Sequence, residues 1–229
     1  GKQAALCFPY IFRENTSVFY LKKEWQDILR GFDTVWVRSY DSLGFCMREL
    51  HLNPEQISLD SNLYVFSDIA CLAFEKTGFR QYTASPELNQ KELAHMSNAK
   101  AEFCLYGETP VMISAQCVYK NYLHCLKGEN PGTELSLSDR YHKKFYVHRN
   151  CKDCYNVIYN SQPLYLFHQA EQVRRLAFGS FRITFVRENR EEARRILRDY
   201  EQSFLQGKEL QAPSQKDGFT NGHFRRGVE

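Results

Sequence analysis

Five short apolar runs punctuate the first half of the chain: Ala4 to Phe8, Thr34 to Val37, Gln56 to Leu59, Gln81 to Thr83 and Glu102 to Leu105. Their length and β-rich character predict strands. Each but the last is followed by a helical pattern. After the first, Trp25, Ile28, Leu29 and Phe32 fall at i, i+3, i+4 and i+7, the stripe of a helix lying on a sheet, with Gly31 as its stop. Asp41 or Ser42 is expected to cap the next helix, Ser67 the one that stops at Gly78, and Ser85 or Asn89 the one after that.

Beyond Leu105 the rhythm breaks, and residues 107–166 read as hairpins and loops. Alternation resumes with a helix near Gln169 to Ala177 and a strand at Phe181 to Val186. A long helix follows, striped by Ala193, Ile196, Leu197, Tyr200 and Phe204. About six βα units result, and right-handed crossovers make their sheet parallel. An open doubly wound sheet accepts six units directly, whereas a closed barrel needs eight in about 250 residues. The fold class expected is α/β, a partial or complete (β/α) barrel-like, TIM-type sheet with a cysteine-rich hairpin insertion. Residues 1–206 form the barrel-like domain, a fragment of a longer protein, and residues 207–229 form a tail.

Composition changes this picture little. A net charge of +3 over 229 residues is too mild to signal a nucleic-acid face. Arginines do crowd the C-terminal third, but Glu191 and Arg195 stand four apart, as on a solvated helix. No apolar run approaches the ~20 residues of a membrane span and no signal peptide opens the chain, so a cytoplasmic protein without membrane contact is expected.

The chain has 8 cysteines. Cys7, Cys46, Cys71 and Cys104 are scattered in apolar segments and read as small core residues. Cys117, Cys125, Cys151 and Cys154 cluster within the insertion as C-x7-C-x25-C-x2-C. Four thiolates at such spacing suit zinc or an iron–sulfur cluster, with a disulfide or idle thiols as alternatives. His124 is a substitute ligand. A thiol nucleophile, Cys117 or Cys125 with His124, His142 or His148 and Asp139, competes for the same residues, because a metal-bound thiolate is not free to attack.

In parallel sheets the active site gathers where strands end. The polar residues there are Arg38, Asp60, Asn62, Glu87, Asn89 and Glu108, of which Asp60, Glu87 and Asn89 are the candidate catalytic groups. Each has an ordinary role as well: a turn, a helix-terminal acid or a surface partner. The Asp139 and Arg140 pair is expected to brace the insertion through a bidentate arginine hydrogen bond.

Five segments, "DSNLYVFS", "TASPELNQKEL", "YGETPVMISAQC", "LSDRYHKKFYVHRNCKDCYNVIYNSQPLYL" and "FTNGHFRRG", together resemble the collagenase-like peptidases, the thirty-second family of unassigned catalytic type. The resemblance runs from about Asp33 onward. It implies a barrel-like fold, a bacterial source and a peptide or protein substrate. Some relatives instead assist hydroxylation of RNA bases or quinone precursors and hold an iron–sulfur cluster through four cysteines, which implies RNA as an alternative partner. The rest of a parent chain is a further expected partner, and the open edge would be covered by another copy or by the chain's own tail. The family's peptidase signature expects Cys soon after a Glu-x-Phe-x-x-Gly run. Here Glu102 and Gly107 are present, but "ETPVMIS" intervenes before Cys117.

Overall fold

A computed structural model describes residues 2–122, 135–213 and 218–228. The expected alternation is there. Strand β1 (Ala5–Cys7) leads to helices α1 (Glu14–Tyr20) and α2 (Lys23–Arg30), then β2 (Thr34–Val37), α3 (Tyr40–Arg48) and β3 (Ile57–Leu59). It continues through α4 (Asp68–Lys76), β4 (Gln81–Thr83), α5 (Gln90–Ala94) and β5 (Ala101–Gly107). The break after β5 holds β6 (Pro110–Ser114), α6 (Val118–Tyr122), β7 (Leu135–Ser138), β8 (Lys144–Asn150) and β9 (Tyr155–Tyr159). The chain then forms β10 (Leu164–Tyr165), α7 (Ala170–Arg174), β11 (Ser180–Ile183) and α8 (Arg190–Tyr200).

The fold is α/β and TIM-like, a half-barrel of the six parallel strands β1 to β5 and β11, with a separate four-stranded antiparallel sheet ordered β6-β9-β8-β7. Two compact units divide it, residues 1–63 with 109–161 and residues 64–108 with 162–229.

In the first unit β1, β2 and β3 pair in parallel, Cys7 opposite Trp36 and Trp36 opposite Ser58. All four residues of "TVWV" are buried, as both faces of a parallel strand require. Phe8, fully buried, meets Phe12, Tyr20 and Phe45 edge to face at 5.5, 4.8 and 6.1 Å. Ser39, not Asp41 or Ser42, caps α3, its hydroxyl accepting from the Ser42 amide at 3.2 Å. The helix thus starts two or three residues earlier than expected, with Tyr40 on its solvent side, 64% exposed.

In the second unit β5 pairs in parallel with β4 and β11, and β10 joins it antiparallel. Ser67 and Asn89 cap α4 and α5 as the pattern predicts, and Asn189 caps α8. Buried Asn98 ties three endings together: its Nδ2 donates to the Leu93 and Leu176 carbonyls, and its own carbonyl accepts from Gly179. At Gly179 an added Cβ would lie 2.1 Å from the Ala99 carbonyl oxygen, so only glycine fits. The final residues pack irregularly: Thr220 donates to the Pro163 carbonyl, and Phe224, 3% exposed, lies 5.7 Å from the Phe103 ring.

On the polar face of this sheet Glu102 forms an ion pair with Arg182, and Thr83 bonds to both side chains. Removing one partner of a buried pair strands the other charge away from water. Arg182→Met is therefore expected to cost about 3 kcal/mol in urea unfolding, and Arg182→Met with Glu102→Leu to recover most of that loss.

Half-buried His168, stacked against Tyr165 at 6.0 Å, has its pKa lowered from the ordinary 6.5, first by burial and then by Arg225. The folded chain accepts this proton later than the unfolded chain does. Stability should therefore fall as pH drops from about 6.5 through the depressed value. Thermal melts over that window should show the slope, and His168→Phe should remove its share.

Candidate functional site

The first unit contains a cavity of about 280 Å³ at the exits of β1 and β2. Period-two alternation in the antiparallel sheet builds one wall. Asn150 pairs with Tyr155 and His148 with Val157, so these side chains and Tyr159 share one face, which lines the cavity. The opposite face carries Arg149, whose guanidinium stacks 4.0 Å from the ring of Tyr119 on α6, and buried Asn156.

Arg38, one residue past β2, enters the cavity already oriented. Its Nε donates to Asp60 Oδ2 at 2.8 Å, and its guanidinium lies 4.2 Å from the Tyr10 ring centre. The Asp60 side chain, 3% exposed, also accepts from the Ser61 amide at 2.9 Å. Tyr155 accepts from the Tyr10 amide at 3.2 Å and from Asn150 Nδ2 at 3.0 Å. Burial foremost raises the pKa of Tyr155 and of Tyr20, Asp153 adding to both, so these phenols are protonated at neutral pH.

The turn between β8 and β9 holds Cys151, Lys152, Asp153 and Cys154. Asn150 Oδ1 accepts from the Asp153 amide at 2.9 Å, and Cys154 takes a left-handed φ of 54°. Asp153 is gripped from α1. Its carboxylate accepts from Thr16 Oγ1 at 2.8 Å, and Arg13 donates to its carbonyl. Lys152 Nζ sits 3.1, 5.2 and 5.5 Å from the ring centres of Phe19, Tyr20 and Trp25. Burial lowers its pKa, with Lys22 acting the same way and Asp153 opposing.

Cys117, half-buried, directly precedes α6, while Cys151 and Cys154 are exposed. Ser114 pairs with Asn156, whose Oδ1 then accepts from the Val118 amide at 2.7 Å. Cys117 and the C-x2-C turn therefore lie at one end of the sheet. Cys125 and His124 fall outside the described residues. Among the described residues no group of three or more His, Cys, Asp or Glu is gathered closely enough to hold a metal.

The three carboxylate and amide candidates are divided. Asp60 belongs to the first unit, whereas Glu87 and Asn89 belong to the second. Asn89 Oδ1 is engaged with the Lys91 and Glu92 amides as a helix cap, and Glu87 is exposed, its amide donating to Ser85 Oγ. Glu108 pairs with Arg187 in the second unit. The expected bracing by Arg140 is not what forms: Asp139 closes the β7–β8 turn by accepting from the Tyr141 and Lys143 amides, while Arg140 stacks on Tyr141. A short Asx-type turn offers Asp139 nearer donors than a guanidinium.

Arg38 was legible as a strand-exit residue, but Tyr10, Lys152 and Tyr155 were not. Their one local signal is a Lys and an Asp inside a C-x2-C turn. Compared with known proteins, the chain matches no family model, no curated protein and no solved structure. No helix of the described residues is long and apolar enough to cross a membrane.

If the aromatic enclosure holds Lys152, its amine should deprotonate at lower pH than the other lysines do. NMR titration of ¹³C-methylated protein should show one such signal, absent from Lys152→Arg. A spectrum in which every lysine titrates together would contradict the enclosure.

Proposed function

We propose that this chain is the half-barrel and cysteine-bearing portion of a hydrolase resembling the collagenase-like peptidases, acting on peptide or protein substrates. In this reading Cys117, Cys125, Cys151 and Cys154 supply thiolates to a zinc ion or an iron–sulfur cluster, and loading draws together the three described ones, which the structure does not gather closely enough to hold a metal. The observation that carries it is the Asn156 clip on the Val118 amide, which sets the residue after Cys117 beside the strand that Cys154 precedes. Soft thiolates are the donors these metals select, and the strands next to the two cysteine-bearing segments pair with one another.

The α/β half-barrel supports the peptidase part, since that family implies such a fold. The substrate class rests on the resemblance, because one fold hosts many chemistries. When bound, a closed thiolate site supplies structural cross-linking if zinc and electron transfer if iron–sulfur. The chain's own residues do the rest: Asp60 orients Arg38 at a strand exit, and Tyr155, directly after Cys154, meets Tyr10 beside the cysteine turn.

Protein purified without oxygen should carry about one zinc ion or one cluster per chain, and Cys154→Ser should lower that content severalfold. Elemental and sulfide analysis measures this. Absence of zinc and iron with every thiol reactive would overturn the metal part. Failure of the metal-loaded protein to cleave gelatin or unfolded peptides would overturn the peptidase part alone.

A further inference from the structure

We propose that the cavity between the exits of β1 and β2 and the β8–β9 wall binds a carboxylate, with Arg38 as its principal anchor and Lys152 and Tyr155 as secondary ones. The carboxylate belongs to a small organic acid or to the C-terminal residue of a peptide. The peptide form deepens the peptide-substrate reading above, while the site itself stands without it.

Arg38 is prepared for this role. Its charge is held by Asp60 behind it and its plane by Tyr10, so little side-chain freedom remains to be lost on binding. A planar guanidinium matches a planar carboxylate through paired hydrogen bonds. Tyr155, 3% exposed, accepts two hydrogen bonds, from Tyr10 and Asn150; among the described residues no acceptor faces its own hydroxyl proton. Among the described residues the hydroxyl accepts but does not donate, so its proton can turn to the oxygen of a ligand at the cavity wall.

Charge and size narrow the ligand. Arg38 and Lys152 are balanced by Asp153 on the wall and by Asp60 behind Arg38, so there is no excess positive charge to hold a phosphate dianion, and a monoanion is the better match. At about 280 Å³ the space is at the small end for ligand sites, room for one residue or a compact acid. Tyr10, Tyr20, Tyr155 and Tyr159 give it aromatic walls, against which the body of the acid can pack.

Calorimetric titration of the protein as purified tests this with N-acetyl dipeptide acids, the same dipeptides as C-terminal amides, benzoate and inorganic phosphate. The acids or benzoate should bind, and the amides and phosphate should bind at least about tenfold more weakly, the worth of one charged hydrogen bond. Arg38→Lys keeps a cation beside Asp60 and loses the fork, and should weaken binding by about ten- to a hundredfold. Lys152→Gln, which also gives up the cation over the Phe19 ring, should weaken it about tenfold or less. Peptide acids binding more tightly than benzoate would identify a peptide terminus, and equal binding a small acid; both support the site. Amides binding as well as acids, phosphate outcompeting carboxylates, or no loss in a folded Arg38→Lys protein would overturn it. Metal content measured on the same samples separates this outcome from failure of the thiolate reading.

Discussion

Everything at the candidate site depends on the ion pair of Arg38 and Asp60. Carrying a carboxylate to 3% exposure is costly unless a cation and hydrogen-bond donors meet it there. Arg38 and the Ser61 amide do so, and the geometry that satisfies Asp60 aims the guanidinium past the end of β2. Tyr10 then has a cation to stack on, Tyr155 an amide of Tyr10 to receive, and the antiparallel wall a fixed neighbour. The pair matters less for net stability than for fixing the direction of one charged group.

The second unit solves the same problem by another route. Glu102 and Arg182 neutralise one another in mid-sheet, with Thr83 bridging them. This pair sits within the strands rather than beyond them, and it is bonded from more than one side. Such a network specifies strand register, since a one-residue slip would turn Glu102 or Arg182 into the apolar side. Arg38 differs in lying past the last ladder residue, where a ligand can approach.

Strands and caps were legible where local chemistry alone decides them. "TVWV" and "QYT" are short β-branched or aromatic runs, and Ser67, with Asn89 as one of two candidates, stands where an amide needs an acceptor. Ser39 was missed because Asp41 and Ser42 are equally good cap formers, and only the path of the preceding strand chooses among them. The cavity was legible in one residue of several. Tyr10 and Tyr155 are 145 positions apart, and no spacing rule anticipates that a phenol will accept from so distant an amide. The four-cysteine pattern drew attention to thiolates, whereas the two residues between the last pair, Lys152 and Asp153, make the long-range contacts.

The first unit is discontinuous: residues 64–108 are spoken for elsewhere before residues 109–161 return to complete it. On the ribosome, at about 5 to 20 residues per second, the segment from α1 to β3 emerges well before its partners. The aromatic face of Phe19, Tyr20 and Trp25 waits for Lys152, and Arg13 and Thr16 wait for Asp153, 140 and 137 positions downstream. Closing such a span adds a loop-entropy cost that grows only logarithmically with its length. The delay is therefore the larger hazard, because a nascent chain halted before Asp153 presents that aromatic face to whatever else is in solution.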